Sequence, residues 1–219
     1  MDIEVLIKRY PRLYHMAECG SWSNIEAHGL QSTSAILDLH GINGADREIY
    51  ESTHRPEKFA LTSSSFGRTV LRDQKPMSDA RLRRCLPADV TPRAWYEILN
   101  RKVFFWVSHE RLLKLLGARA YRNEEHDVLT LNSEPLIRRY AASIKLCHMN
   151  SGNTFPVPHM RRPEVFANIA DYPVRPRNGA PLKEVVELVV DYAVPDIRNF
   201  VMKVDRMKAR TVVARLYSR

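Results

Sequence analysis

The chain has 219 residues, is 44% hydrophobic and 27% charged, and carries a formal net charge of +9. That length and composition predict a single globular domain over residues 1–219, large enough to bury a full core. No apolar run approaches the roughly 20 residues of a membrane-spanning helix, and Met1-Asp2-Ile3-Glu4 lacks the basic and apolar regions of a signal peptide, so a cytoplasmic protein with no membrane partner is expected.

In chain order, residues 1–10 predict a short amphipathic helix with Ile3, Leu6 and Ile7 on one face, broken by Pro11. Leu13-Tyr14-His15-Met16 follows as a short strand. Ser23-x-x-Glu26 has the form of a capping box, with Trp22 as a staple and Gly29 as the left-handed stop after His28. Ser32-Thr33-Ser34 caps a second helix around Ala35–Leu39, closed by Gly41. Residues 43–70 are polar, with a Thr62-Ser63-Ser64-Ser65 cluster, and predict an extended loop. Helices are expected over Asp79–Leu86 and Pro92–Leu99, then an aromatic strand, Lys102–Val107. Ser108 is placed to cap a helix His109–Leu116 that Gly117 ends. Asp127–Leu131 reads as a strand, Ser133–Tyr140 as a helix and Lys145–His148 as a short strand. The Pro-rich residues 150–180 are irregular, and strands over Phe200–Val204 and Thr211–Tyr217 close the chain.

Between them lies the run Val185 to Ile197, a strand of aliphatic residues with one carboxylate, Glu187, set into its middle and Pro195 behind it. Its flanks predict that both faces are covered. A carboxylate there costs several kcal/mol to bury alone, so Glu187 must be paired or functional. The charge is also uneven. Arg68 to Arg122 holds thirteen Lys/Arg against five Asp/Glu, and Arg198 to Arg219 seven against one. Such asymmetry points to a polyanion, with nucleic acid ahead of a membrane surface.

Several chemistries are missing: there is no GxGxxG or Walker A loop, no HExxH and no GxSxG elbow. Cys19, Cys85 and Cys147 are scattered without a CxxC pair, and the histidines fall at no zinc-like spacing, so no metal is expected. Taken singly, His15 reads as a structural strand histidine, the Ser32–Ser34 hydroxyls as helix caps, Arg72-Asp73-Gln74 as a surface turn, and Asn150-Ser151-Gly152-Asn153 as a turn after a strand.

Taken in order, these pieces resemble ADP-ribosyltransferases, and among them the DarT-like toxins that modify DNA bases. Leu13–Met16, Trp22–Ile25 and His28-Gly29-Leu30 with Ser32-Thr33 are similar to that family's opening. Val103 to Ser108 resembles its aromatic strand ending in a serine, with Trp106 near the place of the tyrosine in histidine-tyrosine-glutamate enzymes. Val186–Val190 with Val194-Pro195 is similar to the strand of its catalytic glutamate. The resemblance implies an α+β fold with a split mixed β-sheet core and short flanking helices. It implies NAD as substrate, ADP-ribose transfer to DNA or RNA, and an antitoxin or immunity protein as a further partner. Glu187 and Arg72 would be catalytic; His15, Ser32, Thr33, Trp106 and Ser108 would bind the cofactor. A non-catalytic nucleic-acid-binding module and an NAD glycohydrolase are the alternatives.

Overall fold

No helix or strand exceeds nine residues, because capping residues and glycines interrupt the apolar pattern. The computed structural model describes residues 1–219. Asp2 accepts from the Glu4 and Val5 amides and starts α1 (Ile3–Arg9), which Tyr10-Pro11 ends before β1 (Arg12–Glu18). The helix α2 (Trp22–His28) begins one residue before the expected capping box, and Ser21 at its start makes no side-chain cap. A distant carboxylate does that work: Asp127 Oδ2 accepts the Trp22 N–H at 3.1 Å. Gly29, at φ 82, then turns into β2 (Leu30–Gln31), and Ser32 Oγ caps α3 (Thr33–Leu39) by accepting from the Ala35 amide.

Residues 43–70 are not an extended loop. They hold α4 (Gly44–Glu51) and the hairpin β3 (Phe59–Ser63) and β4 (Gly67–Leu71). No residue of α4 is buried, which is why no apolar stripe announces it; an Arg47–Glu51 ion pair at 2.5 Å supports it instead. The serine cluster forms the hairpin's turn, where Ser63 Oγ accepts from the Phe66 amide at 3.0 Å. Next come α5 (Asp79–Arg83), α6 (Pro92–Asn100) capped by Thr91, β5 (Lys102–Trp106), α7 (His109–Leu116), β6 (Glu125–Asn132) and α8 (Ser133–Tyr140). The last strands are β7 (Ile144–Cys147), β8 (Ala167–Asn168), β9 (Glu187–Asp191), β10 (Ala193–Val194), β11 (Val201–Lys208) and β12 (Thr211–Ser218).

The fold is α+β. Eight strands form one sheet in the order β12-β11-β6-β1-β5-β9-β7-β8. Every pairing in it is antiparallel, so the sheet is not mixed. No pair of neighbours is joined by the helical crossover that a parallel ladder requires. The sheet is pinched at its centre. β1 pairs with β6 along its whole length, from Arg12↔Asn132 to Glu18↔His126, but meets β5 at the single pair Tyr14↔Trp106. Beyond that pair the strands part. On one side the main core packs α1, α2 and α8 onto Leu13, Phe105, Leu129 and Leu188; on the other, Trp95, Tyr96 and Phe166 pack against Val189. A second small ladder pairs β2 with β10, bringing the His28–Ser32 turn against the segment after β9.

Candidate functional site

Where β1 and β5 separate, the gap opens into a cavity of about 740 Å³, within the ~300–1,000 Å³ of small-molecule sites. Its wall is drawn from β1, α2, the turn into α3, β4 and the segment after it, β5, α7, the 150–153 turn and Glu187.

Glu187 is the first residue of β9 rather than its middle, standing between Trp106 on β5 and Cys147 on β7. The run Val185 to Val190 is buried throughout, which pins this register, and Glu187 itself is 4% exposed. Both of its oxygens face one donor, the Ser151 N–H, at 3.2 and 3.3 Å. Burial raises its pKa to about 7, against the hydrogen bonds of Ser151 and the charges of Arg161 and Arg111.

His15 lies across the gap. Its Nδ1 bonds the Phe104 carbonyl at 2.8 Å, at the level where β5 has left β1. A carbonyl only accepts, so Nδ1 carries the proton and Nε2 keeps its lone pair. Burial lowers the ring's pKa to about 4, the Phe104 bond opposing and the Arg72 charge assisting, so the imidazole is neutral at pH 7. Trp106 lines the same cavity, half-buried over Met16 and Leu112.

Arg72 reaches the cavity from the segment after β4. It donates to the Met16 carbonyl at 3.2 Å and lies 5.1 Å over the Tyr121 ring. Ser32 and Thr33 also line the wall. Ser32 is 2% exposed, with its Oγ accepting the cap bond from Ala35 at 3.2 Å, and Thr33 Oγ1 accepts from Arg55 at 3.4 Å. Ser108 does not belong to this site. It lies beyond the end of β5 at the start of α7, outside the cavity wall, and makes no side-chain cap. By that point the chain has turned away from the strand that carries Trp106 inward.

Of two further wall residues, Arg55 is not singled out by the sequence and Asp73 enters it only within the Arg72-Asp73-Gln74 turn. Arg55 is 3% exposed and donates to the Arg72 carbonyl at 2.7 Å, Asn100 Oδ1 at 3.1 Å, Thr33 Oγ1 and the Tyr50 carbonyl. All four acceptors are neutral. Burial therefore pulls its pKa down to about 10, with Asp73 opposing. Asp73 Oδ2 accepts from the Tyr121 hydroxyl at 3.0 Å, while its Oδ1 is buried with no partner in the protein. Arg55 falls in a polar stretch without periodicity, so only the fold reveals that it is enclosed.

Cations outnumber carboxylates on the wall: Arg55, Arg68, Arg72, Lys102, Arg111 and Lys114 face Glu18, Asp73 and Glu187. Lys102 is tied to Asp191 at 2.5 Å and Lys114 to Glu110 at 2.7 Å. The arginines of the wall have no carboxylate partner. Such a pocket suits an anion that carries hydroxyl groups. No group of three or more His, Cys, Asp or Glu converges on a metal-sized site, and no helix is long and apolar enough to cross a membrane.

No curated protein and no solved structure matches this chain. A family model described as "Family of unknown function (DUF7002)" matches residues 11–201, and the chain belongs to that family. The match spans every cavity residue named above and stops at the first residue of β11.

Proposed function

We propose that this DUF7002 member is an NAD-dependent ADP-ribosyltransferase acting on nucleic acid, with Glu187 as its catalytic carboxylate. The observation that carries the reading is Glu187 itself: enclosed, held by Ser151, and set on a cavity wall opposite a neutral histidine. The sheet pinched at Tyr14↔Trp106 supports the finer assignment to an ADP-ribosyltransferase-like split core, as does the pairing of β2 with β10 beside it.

In this reading the bond from ribose C1′ to the nicotinamide nitrogen breaks, and its electron pair leaves with nicotinamide. The sugar passes through an oxocarbenium-like state, as in glycoside cleavage. A base nitrogen or hydroxyl of the acceptor then gives its lone pair to C1′. Glu187 would accept a ribose hydroxyl hydrogen bond and place negative charge beside the developing cation. It would also take the acceptor's proton, a task suited to a carboxyl whose pKa lies near the working pH. His15 Nε2 would accept from a ribose hydroxyl or the carboxamide of NAD, Trp106 would stack on nicotinamide, and Ser32 and Thr33 would contact the dinucleotide. The buried charge of Arg55 and the guanidinium of Arg72 fit a pyrophosphate, which would give Arg55 the anionic partner it lacks.

Incubation with labelled NAD and single-stranded DNA, duplex DNA, RNA or protein tests the reading. Transfer to a nucleic acid is expected, rising with pH through about 7 as Glu187 ionises. Nicotinamide release with no labelled acceptor would make the protein a glycohydrolase. Polynucleotide binding with neither label nor nicotinamide would leave a binding module, and the enzyme reading would fall.

A further inference from the structure

A second deeply buried cation lies behind the site rather than on its wall. Arg161 is 1% exposed, in the irregular stretch between β7 and β8, and it forms no ion pair. Its guanidinium donates to three main-chain carbonyls: Ser151 at 2.7 Å, Asn153 at 2.8 Å and His159 at 3.2 Å. Its own N–H donates to the Cys85 carbonyl at 2.8 Å, just past α5. A loop without a ladder leaves such carbonyls unpaired, and each buried one would cost ~1–3 kcal/mol. Three carbonyls converging on one point call for the planar fork of arginine, which neither lysine nor glutamine reproduces.

The loop that Arg161 braces is the loop that touches Glu187. Ser151 is held from both sides, its carbonyl by Arg161 and its N–H by the two Glu187 oxygens. No residue other than Ser151 hydrogen-bonds that carboxylate. Thr154, further along, donates to the Pro76 carbonyl and fastens the loop to the segment carrying Arg72. The charged or titratable groups that act on Glu187 are few: Arg161 behind the loop, Arg111 on α7 and Cys147 on β7. Arg111 is exposed, so solvent screens it more than the enclosed Arg161.

We propose that Arg161 is the positioning residue of Glu187: by clamping the Ser151 and Asn153 carbonyls it keeps the Ser151 N–H on the carboxylate and supplies the enclosed positive charge that favours its ionised form. The catalytic meaning of this arrangement rests on the transferase reading above; the geometry does not. Burial works against the guanidinium's own charge, with Cys85, Cys147 and Glu187 opposing that effect. Arginine and glutamate therefore support each other's ionised forms through one turn of backbone.

NMR of the full chain tests this without any turnover. In the wild type, the slowly exchanging Arg161 side-chain N–H signals and the Ser151 amide are expected to shift together as pH is raised, with one midpoint near 7. In Glu187→Gln that shared response should vanish. Arg161→Lys keeps a cation but loses the fork, so the Glu187 midpoint should rise by about one pH unit. Its kcat for nicotinamide release should fall by about tenfold, with KM for NAD little changed, as when the barrier rises by ~1.4 kcal/mol. Wild-type signals that ignore pH from 5 to 9, or an Arg161→Lys midpoint equal to that of the wild type, overturn the proposal. If Arg161→Lys does not fold, the comparison of wild type with Glu187→Gln decides by itself. Coupled titration in a protein that never releases nicotinamide would sink the transferase reading and leave the positioning role standing.

Discussion

Glu187 is almost wholly buried and is hydrogen-bonded by Ser151 alone, so its ionised form is disfavoured in the free protein and would gain when a cation develops beside it. Glu187→Ala should lose about 100- to 1,000-fold in transfer rate, the ~2.7–4 kcal/mol typical of one preorganised electrostatic group; wild-type rates from the alanine protein would end the assignment. The same group sets a stability signature. Its pKa of about 7 lies above the ordinary 4.5, so between those values the folded chain holds a proton that the unfolded chain has lost. Its contribution is therefore favourable below 4.5 and fades as pH rises to 7. Glu187→Gln lacks this liability, and its advantage over wild type in urea melts should grow from pH 4.5 to 7, reaching at most about 3 kcal/mol. His15 has the opposite sign: its stability is present above 6.5 and lost as pH falls through about 4. Comparing the two proteins at equal pH cancels it. At this scale Glu187 and His15 are legible in the sequence because each is a polar residue inside an apolar strand pattern. Arg55 and Arg161 are not, since their segments have no period from which burial follows, and Asp73 is visible only as part of a surface turn.

Gly29 shows how an element boundary becomes part of the site. A Cβ there would lie 2.4 Å from Pro195 Cα, at the join of β2 with β10, and the φ of +82° is already costly for other residues. Gly20 has nearly the same φ, +81°, but open space around it. Gly20→Ala should cost only the backbone strain, ~1–2 kcal/mol. Gly29→Ala should cost a further ~1–3 kcal/mol from the clash; equal melting shifts for the two would show that the strand contact does not matter. Most elements are readable from caps and periods, including α3 from Ser32, α6 from Pro92 and α8 at the expected Ser133–Tyr140. The exceptions have physical causes. The α4 helix buries nothing, so it writes no stripe; the start of α2 is chosen by Asp127, more than a hundred residues away.

Across the whole molecule, the two basic segments behave differently. In the C-terminal one, Arg198 pairs with Glu26 at 2.5 Å, Lys203 with Asp205 at 2.9 Å, Arg206 with Asp127 at 3.0 Å, and Arg215 with Asp205. Much of its charge is spent inside the fold. The central segment keeps Arg68, Arg72 and Arg111 free of carboxylates on the cavity wall, and it is this segment that favours a polyanionic acceptor. Polynucleotide affinity should therefore fall steeply with salt, and Arg68→Gln or Arg111→Gln should each flatten the log–log slope by about 0.9 if it contacts one phosphate of duplex DNA, or ~0.7 for a single strand. The same change in Arg198 or Arg206 should leave the slope as it was. What the amino-acid order determines alone is the α+β class with most of its elements, the apolar strand around one carboxylate and the excess of cations, because these follow from local periods, caps and composition. Which strands separate, which loop touches Glu187 and which arginines stay unpaired are decided only by the tertiary structure. Those properties depend on pairings between residues distant in the chain, where the sheet's pinch and the buried Arg161 bring β1, β5, β9 and the 150–161 loop to one place.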